Sequence, residues 1–129
     1  MKREVRVSTE LGHTPKLIPS VEEIGDIAAP IARRVGASEL YLFGSMARGT
    51  AKTDSDIDFI HDVPQNASIE ERARISRQLS MSLREAFNRD IDMVRKSYLT
   101  TSNTENPLAE LIRQSFIKSI NQHPIYRIM

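Results

Sequence analysis

Residues 56–60 read Asp-Ile-Asp-Phe-Ile, and this alternation constrains the fold more than any other stretch. Successive side chains of an extended strand point to opposite faces, so Asp56, Asp58 and Ile60 share one face while Ile57 and Phe59 share the other. The apolar face carries the chain into a core, and uncompensated charge beside a core is costly. Two carboxylates at alternate positions also repel each other. A hard divalent cation such as Mg²⁺, ligated by oxygens of carboxylates and phosphates, resolves that repulsion. Asp54 stands apart, because the "TDSD" turn that carries it reads as a solvated turn accepting backbone hydrogen bonds.

Upstream, Glu39-Leu40-Tyr41-Leu42-Phe43 is a short and mostly apolar run that suits a well-buried strand. It ends on Gly44-Ser45, with Met46, Ala47 and Arg48 able to form the first turn of a helix. Glycine lets a ligand approach the backbone, and exposed N–H groups beside a serine hydroxyl make a seat for phosphate. Alone, Gly-Ser is an ordinary loop or cap signal. Followed by aspartates eleven and thirteen positions after the serine, it becomes specific. Arg48 either neutralises phosphate charge or pairs with nearby acids.

The remaining pattern supplies the frame. Ser20 caps a helix through Val21, Ile24, Ile27, Ala28, Ile31 and Val35, with Glu22 and Glu23 in its first turn. Pro30 is expected to kink or divide that helix, and Gly36 to stop it. Ile75, Leu79, Leu83 and Phe87 predict a long helix, with Ile69 and Ala73 extending the same side. "DIDMV" at 90–94 predicts another strand, with Ile91 and Met93 on one face and Asp90, Asp92 and Val94 on the other. Leu108, Leu111, Ile112, Ser115, Phe116 and Ile120 form a final helical stripe after a polar loop. Pro124 restricts "IYRI" to a terminal or edge strand. This order predicts an α/β (α+β) fold, a small mixed sheet with helices covering one side. Residues 1–19 read as an irregular lead-in and 20–129 as the single domain.

Composition bounds the partners. Eighteen Lys and Arg balance seventeen Asp and Glu, a formal charge of +1, so bulk electrostatics indicate neither a stable nucleic-acid partner nor a membrane. There is no cysteine, which removes thiolate chemistry and cysteine-ligated zinc. With no apolar leader or span, the cytoplasm is the expected setting.

"FGSMARG" at 43–49 and "DSDIDF" at 54–59 resemble the nucleotidyltransferase superfamily that includes DNA polymerase β, most closely its minimal nucleotidyltransferase (MNT) group. The resemblance runs from about Ile18 to Ile120. It implies a nucleotidyltransferase fold in which the Gly44-Ser45 helix start binds nucleotide phosphates. It also implies that Asp56 and Asp58 bind two Mg²⁺ ions and that a third acid on a neighbouring strand, Asp92 in "IDMV", joins them. The implied reaction is transfer of NMP, AMP from ATP in particular, to a hydroxyl. Small members of this group resemble antitoxins of toxin–antitoxin modules, which bind a HEPN-type toxin and AMPylate it on tyrosine. A hetero-oligomer with such a partner, or a homodimer, is the expected assembly. Two other readings fit the same residues: a non-catalytic nucleotide- or partner-binding regulatory module, and an aminoglycoside-like small-molecule transferase. Asp90 reads as a solvated strand start, Lys52 and Lys96 as surface lysines near the site, and His61 as structural or exposed. His13 and His123 have no ligand partners at recognisable spacing, and Tyr98 and Tyr126 read as packing residues.

Overall fold

The computed structural model describes residues 17–102 and 105–129. The lead-in expected over 1–19 therefore lies outside the described residues up to position 16. Leu17–Pro19 run into α1 (Val21–Val35), which opens on a reciprocal cap: Glu23 N–H donates to Ser20 Oγ at 3.0 Å, and Ser20 N–H donates to Glu23 Oε1 at 2.8 Å. Such a cap contributes about 1 kcal/mol. Gly36 ends the helix at φ +99°. Pro30 neither divides nor terminates α1. It lies on the solvent side, where water can satisfy the carbonyl one turn back, while Ile24, Ala28, Ile31, Ala32 and Val35 seat the opposite face in the core.

The chain then forms β1 (Glu39–Phe43), α2 (Gly44–Arg48), β2 (Ile57–Asp62), α3 (Ile69–Phe87) and β3 (Ile91–Arg95). It closes with α4 (Lys96–Thr100), α5 (Pro107–Asn121) and β4 (Tyr126–Arg127). Sheet order is β3-β2-β1-β4, with β1 antiparallel to both neighbours and β2 parallel to β3. The parallel pair needs a long crossover, and α3 supplies it. The mixed sheet and the edge position of β4 agree with the sequence-based expectation.

One sheet face, with Leu40, Leu42, Ile57, Phe59 and Ile91, is packed by α1 and α3 into the main core. The other face is not bare as expected: Phe43 and Ile60 join Ile120 of α5, with Tyr41, Val94 and Phe116 packed beside them. His61 is 2% exposed. Its Nδ1 lies 3.3 Å from the Val94 carbonyl and its Nε2 2.9 Å from Ser76 Oγ. A carbonyl only accepts, so Nδ1 carries the proton and the serine hydroxyl donates to Nε2. Burial lowers the pKa of this imidazole, so the neutral ring bolts β2 to β3 and α3.

Two apolar stripes depart from expectation. In α3 only Ile75, Leu79 and Leu83 are buried, whereas Ile69 is 80% exposed and Ala73 is exposed too. Position 73 falls two residues before Ile75, on nearly the opposite side of a helix. In α5, Leu108, Leu111 and Ile112 are exposed, and the buried residue of that half is Arg113. Its guanidinium donates to Glu110 Oε2 at 2.7 Å and to the Tyr98 and Leu99 carbonyls at 3.2 and 3.0 Å. A buried cation, satisfied by the end of the unanticipated helix α4, thus takes the place that a leucine was expected to fill.

Candidate nucleotide and metal site

At the end of β1 the chain turns directly into α2 through Gly44, which has φ +77°. A Cβ there would lie 2.0 Å from Asp58 Oδ2, 2.8 Å from its Cγ and 3.0 Å from its Cβ. Both the left-handed backbone and the close approach to Asp58 therefore require glycine. The same contact sets Ser45 and the start of α2 directly against the β2 carboxylate.

Asp58 and Asp92 are directly paired residues of the parallel strands β2 and β3. Burial, the Asp92 charge, the Asp56 charge and a hydrogen bond with Asp92 push the Asp58 pKa up to about 6, and Arg48 opposes them. Here the alternation of two separate strands, each with its carboxylates turned from the core, produces one acidic centre. Gly44, Ser45, Arg48, Asp58 and Asp92 all line a single cleft of about 290 Å³. Asp56 immediately precedes β2 and is exposed. It does not line the cleft, but its charge acts on Asp58.

The carboxylates of Asp58 and Asp92 are hard oxygen donors whose mutual repulsion a divalent cation would relieve, so the donor chemistry fits Mg²⁺. Among the described residues no group of three His, Cys, Asp or Glu side chains forms a complete protein cage. A Mg²⁺ ion here would therefore need substrate phosphates and water to complete its shell.

The other sequence candidates fall elsewhere. Lys96 Nζ donates to Glu39 Oε1 at 2.8 Å and lies over the Tyr41 ring, away from the cleft. Lys52 and Asp54 are exposed in the turn before β2, and Asp90 is exposed, its carbonyl accepting from Ile57 N–H at 3.1 Å. Tyr98 packs against Phe116. His123, read as lacking partners, lines the cleft together with Phe116, Ser119, Ile120 and Pro124. No local signal marks it, because His123 lies beyond the last residue of α5, Asn121, where the chain returns towards β4.

Arg89 is a second residue that the sequence reading passed over. It is 6% exposed and donates to the carbonyls of Thr53 at 2.8 Å, Ser55 at 3.0 Å and Leu17 at 2.7 Å. Two of these carbonyls, those of Thr53 and Ser55, belong to the loop that delivers Asp56 and Asp58, and the same guanidinium ties that loop to Leu17. Arg89→Met leaves those carbonyls without a donor and is expected to cost about 2–3 kcal/mol, read as a lower urea midpoint at unchanged m. A loss below about 0.5 kcal/mol, the range of ordinary surface substitutions, would show that the clamp carries no weight.

The chain matches the family described as "Polymerase beta, Nucleotidyltransferase" over residues 27–117. It is 30% identical over 97 residues to the "Protein adenylyltransferase MntA" of Thermococcus cleftensis, covering 72% of this chain and 94% of that relative. Among solved structures it is similar to a minimal nucleotidyltransferase at 21% identity and TM-score 0.48, covering 77% of this chain and 84% of that one. It is also similar to a chain of a toxin–antitoxin structure with AMP-PNP, at 19% identity and TM-score 0.45, covering 76% and 90%.

Proposed function

Because the chain belongs to the polymerase β nucleotidyltransferase family, we propose that it transfers AMP from ATP to a hydroxyl of a partner protein. The observation that carries the proposal is the pairing of Asp58 with Asp92 across β2 and β3, with Gly44-Ser45 packed onto Asp58. Nucleotidyl transfer sets two opposed demands in one place: anionic phosphates must be held, and the acids beside them must not repel them. Ser45 and the neighbouring N–H groups would hold the β and γ phosphates, with Arg48 offsetting their charge. Asp56, Asp58 and Asp92 would hold two Mg²⁺ ions. When bound, Mg²⁺ supplies neutralisation of the carboxylates and polarisation of the phosphate and hydroxyl oxygens.

In the transfer, the acceptor oxygen bonds to the α-phosphorus, the bond from that phosphorus to the bridging oxygen breaks, and pyrophosphate leaves. The hydroxyl proton passes to the Asp92 carboxylate. No covalent bond to this chain is required, so its residues contribute positioning and charge stabilisation.

A protein acceptor is supported by the name of the adenylyltransferase relative and by the exposed Leu108, Leu111 and Ile112 on α5. The acceptor we propose is a tyrosine of a HEPN-type toxin, which the motif resemblance implies, making this chain the antitoxin of the pair. No helix among the described residues is long and apolar enough to cross a membrane, and we place the reaction in the cytoplasm, where ATP is available. The test is incubation of the chain with Mg²⁺, a HEPN-type toxin, and ATP labelled at either the α or the γ position. Label from the α position is expected on a partner tyrosine, with pyrophosphate released. Binding of both ATP and partner without transfer would instead identify a regulatory module.

A further inference from the structure

The walls of the cleft differ in kind. Among the described residues, every carboxylate and guanidinium that lines it, Asp58, Asp92 and Arg48, comes from β2, β3 and α2. The wall from the end of α5 has no carboxylate, lysine or arginine: it offers Phe116, Ser119, His123 and Pro124 beside the buried Ile120. That wall is fixed at both ends. Ile120 is anchored in the second core cluster. Three residues beyond His123, β4 pairs with β1 through Tyr41↔Arg127 and Leu42↔Tyr126, and Ile128 N–H donates to the Leu40 carbonyl at 2.8 Å. The His123–Pro124 turn is therefore held against the cleft by the sheet.

A nucleoside triphosphate has the same division. Its phosphates need donors and cations, while its nucleoside is an uncharged aromatic plane with hydrogen-bonding edges. Small-ligand sites commonly combine apolar and aromatic surface with a few placed polar groups, and the cleft of about 290 Å³ lies just below their usual range of about 300–1,000 Å³. We infer that the α5 wall receives the nucleoside half of the substrate, with His123 and Ser119 as its polar contacts and as determinants of the base accepted. An imidazole and a hydroxyl each offer a donor and an acceptor, which suits them to reading a base or ribose edge. The inference rests on the transferase reading above, since it presumes that phosphates occupy the Gly44-Ser45 side.

The test titrates the full-length chain in Mg²⁺ with ATP, GTP and inorganic tripolyphosphate by calorimetry, for wild type, His123→Ala, His123→Gln and Ser119→Ala. His123→Ala is expected to weaken ATP about 10-fold, the loss of a hydrogen bond to a bound ligand, with tripolyphosphate unchanged within about twofold. The ATP-to-GTP affinity ratio should fall towards one, and His123→Gln, which keeps an N–H donor, should recover part of the loss. His123 is exposed, so circular dichroism should match wild type in each variant. Equal weakening of ATP and tripolyphosphate, or unchanged ATP affinity in both Ala variants, would overturn the inference. Wild type binding tripolyphosphate as tightly as ATP would overturn it while sparing the phosphate seat. Wild type binding neither would overturn the transferase reading with it.

Discussion

Asp58→Asn is expected to lower AMP transfer by about 10³-fold or more while raising the thermal midpoint in metal-free buffer by about 3 °C. Both effects have one source. The Asp58 carboxyl is pushed up from 3.8 to about 6 by burial and by the Asp92 and Asp56 charges, so the folded protein holds this proton more tightly than the unfolded chain does. Its favourable contribution is complete below about pH 4 and is lost as pH rises through about 6, leaving the fold with a crowded anion at neutral pH. The site is half-exposed, so solvent screening reduces the penalty to about 1–2 kcal/mol. Asparagine removes the charge, and with it both the metal ligand and the penalty. Thermal melts in EDTA at pH 5 and pH 8 provide the check, with the largest gain expected at pH 8. Adding Mg²⁺ should raise the wild-type midpoint and leave the variant almost unmoved, because a ligand stabilises only the state that binds it. Full transfer activity in the purified variant, or a variant less stable than wild type at pH 8, would contradict this account.

Gly44→Ala is expected to reduce transfer by about 10²-fold, the scale of a small misplacement of catalytic groups, although it deletes no functional group. The new methyl carbon would sit 2.0 Å from Asp58 Oδ2 and 3.0 Å from Asp58 Cβ. Rotation about χ1 can swing the carboxylate away, but it cannot move the Cβ, so α2 must also shift from β2. The φ of +77° adds about 1–2 kcal/mol for any residue other than glycine. Separating Asp58 from Asp92 offsets part of that cost by relieving their repulsion. The expected signature is therefore activity lost out of proportion to stability: a midpoint lowered by a few degrees beside a hundredfold slower transfer. Unimpaired transfer by a folded Gly44→Ala protein would show that the contact between α2 and Asp58 does not set the geometry of the site.

The contrast between α5 and β2 shows where pattern reading succeeds. Along β2 and β3 the side-chain period is two, and one register satisfies both the buried Ile57, Phe59 and Ile91 and the outward acids; the outward face of each acid followed from local sequence. Along α5 the apolar positions 108, 111 and 112 have helical spacing, yet they face solvent while Arg113 is buried. Periodicity states which residues share a face, and it does not state what covers that face. The same limit hid His123: a lone histidine after a helix carries no ligand spacing, and only the return of β4 to β1 brings it to the acids. Arg89 was equally silent, because its partners are carbonyls as far away in sequence as Leu17, and carbonyls leave no mark in a sequence.

Sequence alone determined the order of the strands and of the helices other than α4, the mixed sheet, and which faces of β2 and β3 carry Asp58 and Asp92, because those depend on side-chain period within each short stretch. Tertiary structure decided that Asp58 and Asp92 pair directly, that Asp56 stands outside the lining of the cleft, and that the far wall belongs to α5. These depend on strand pairing and helix docking, which are set by burial over the whole chain and cannot be read from any short stretch of it.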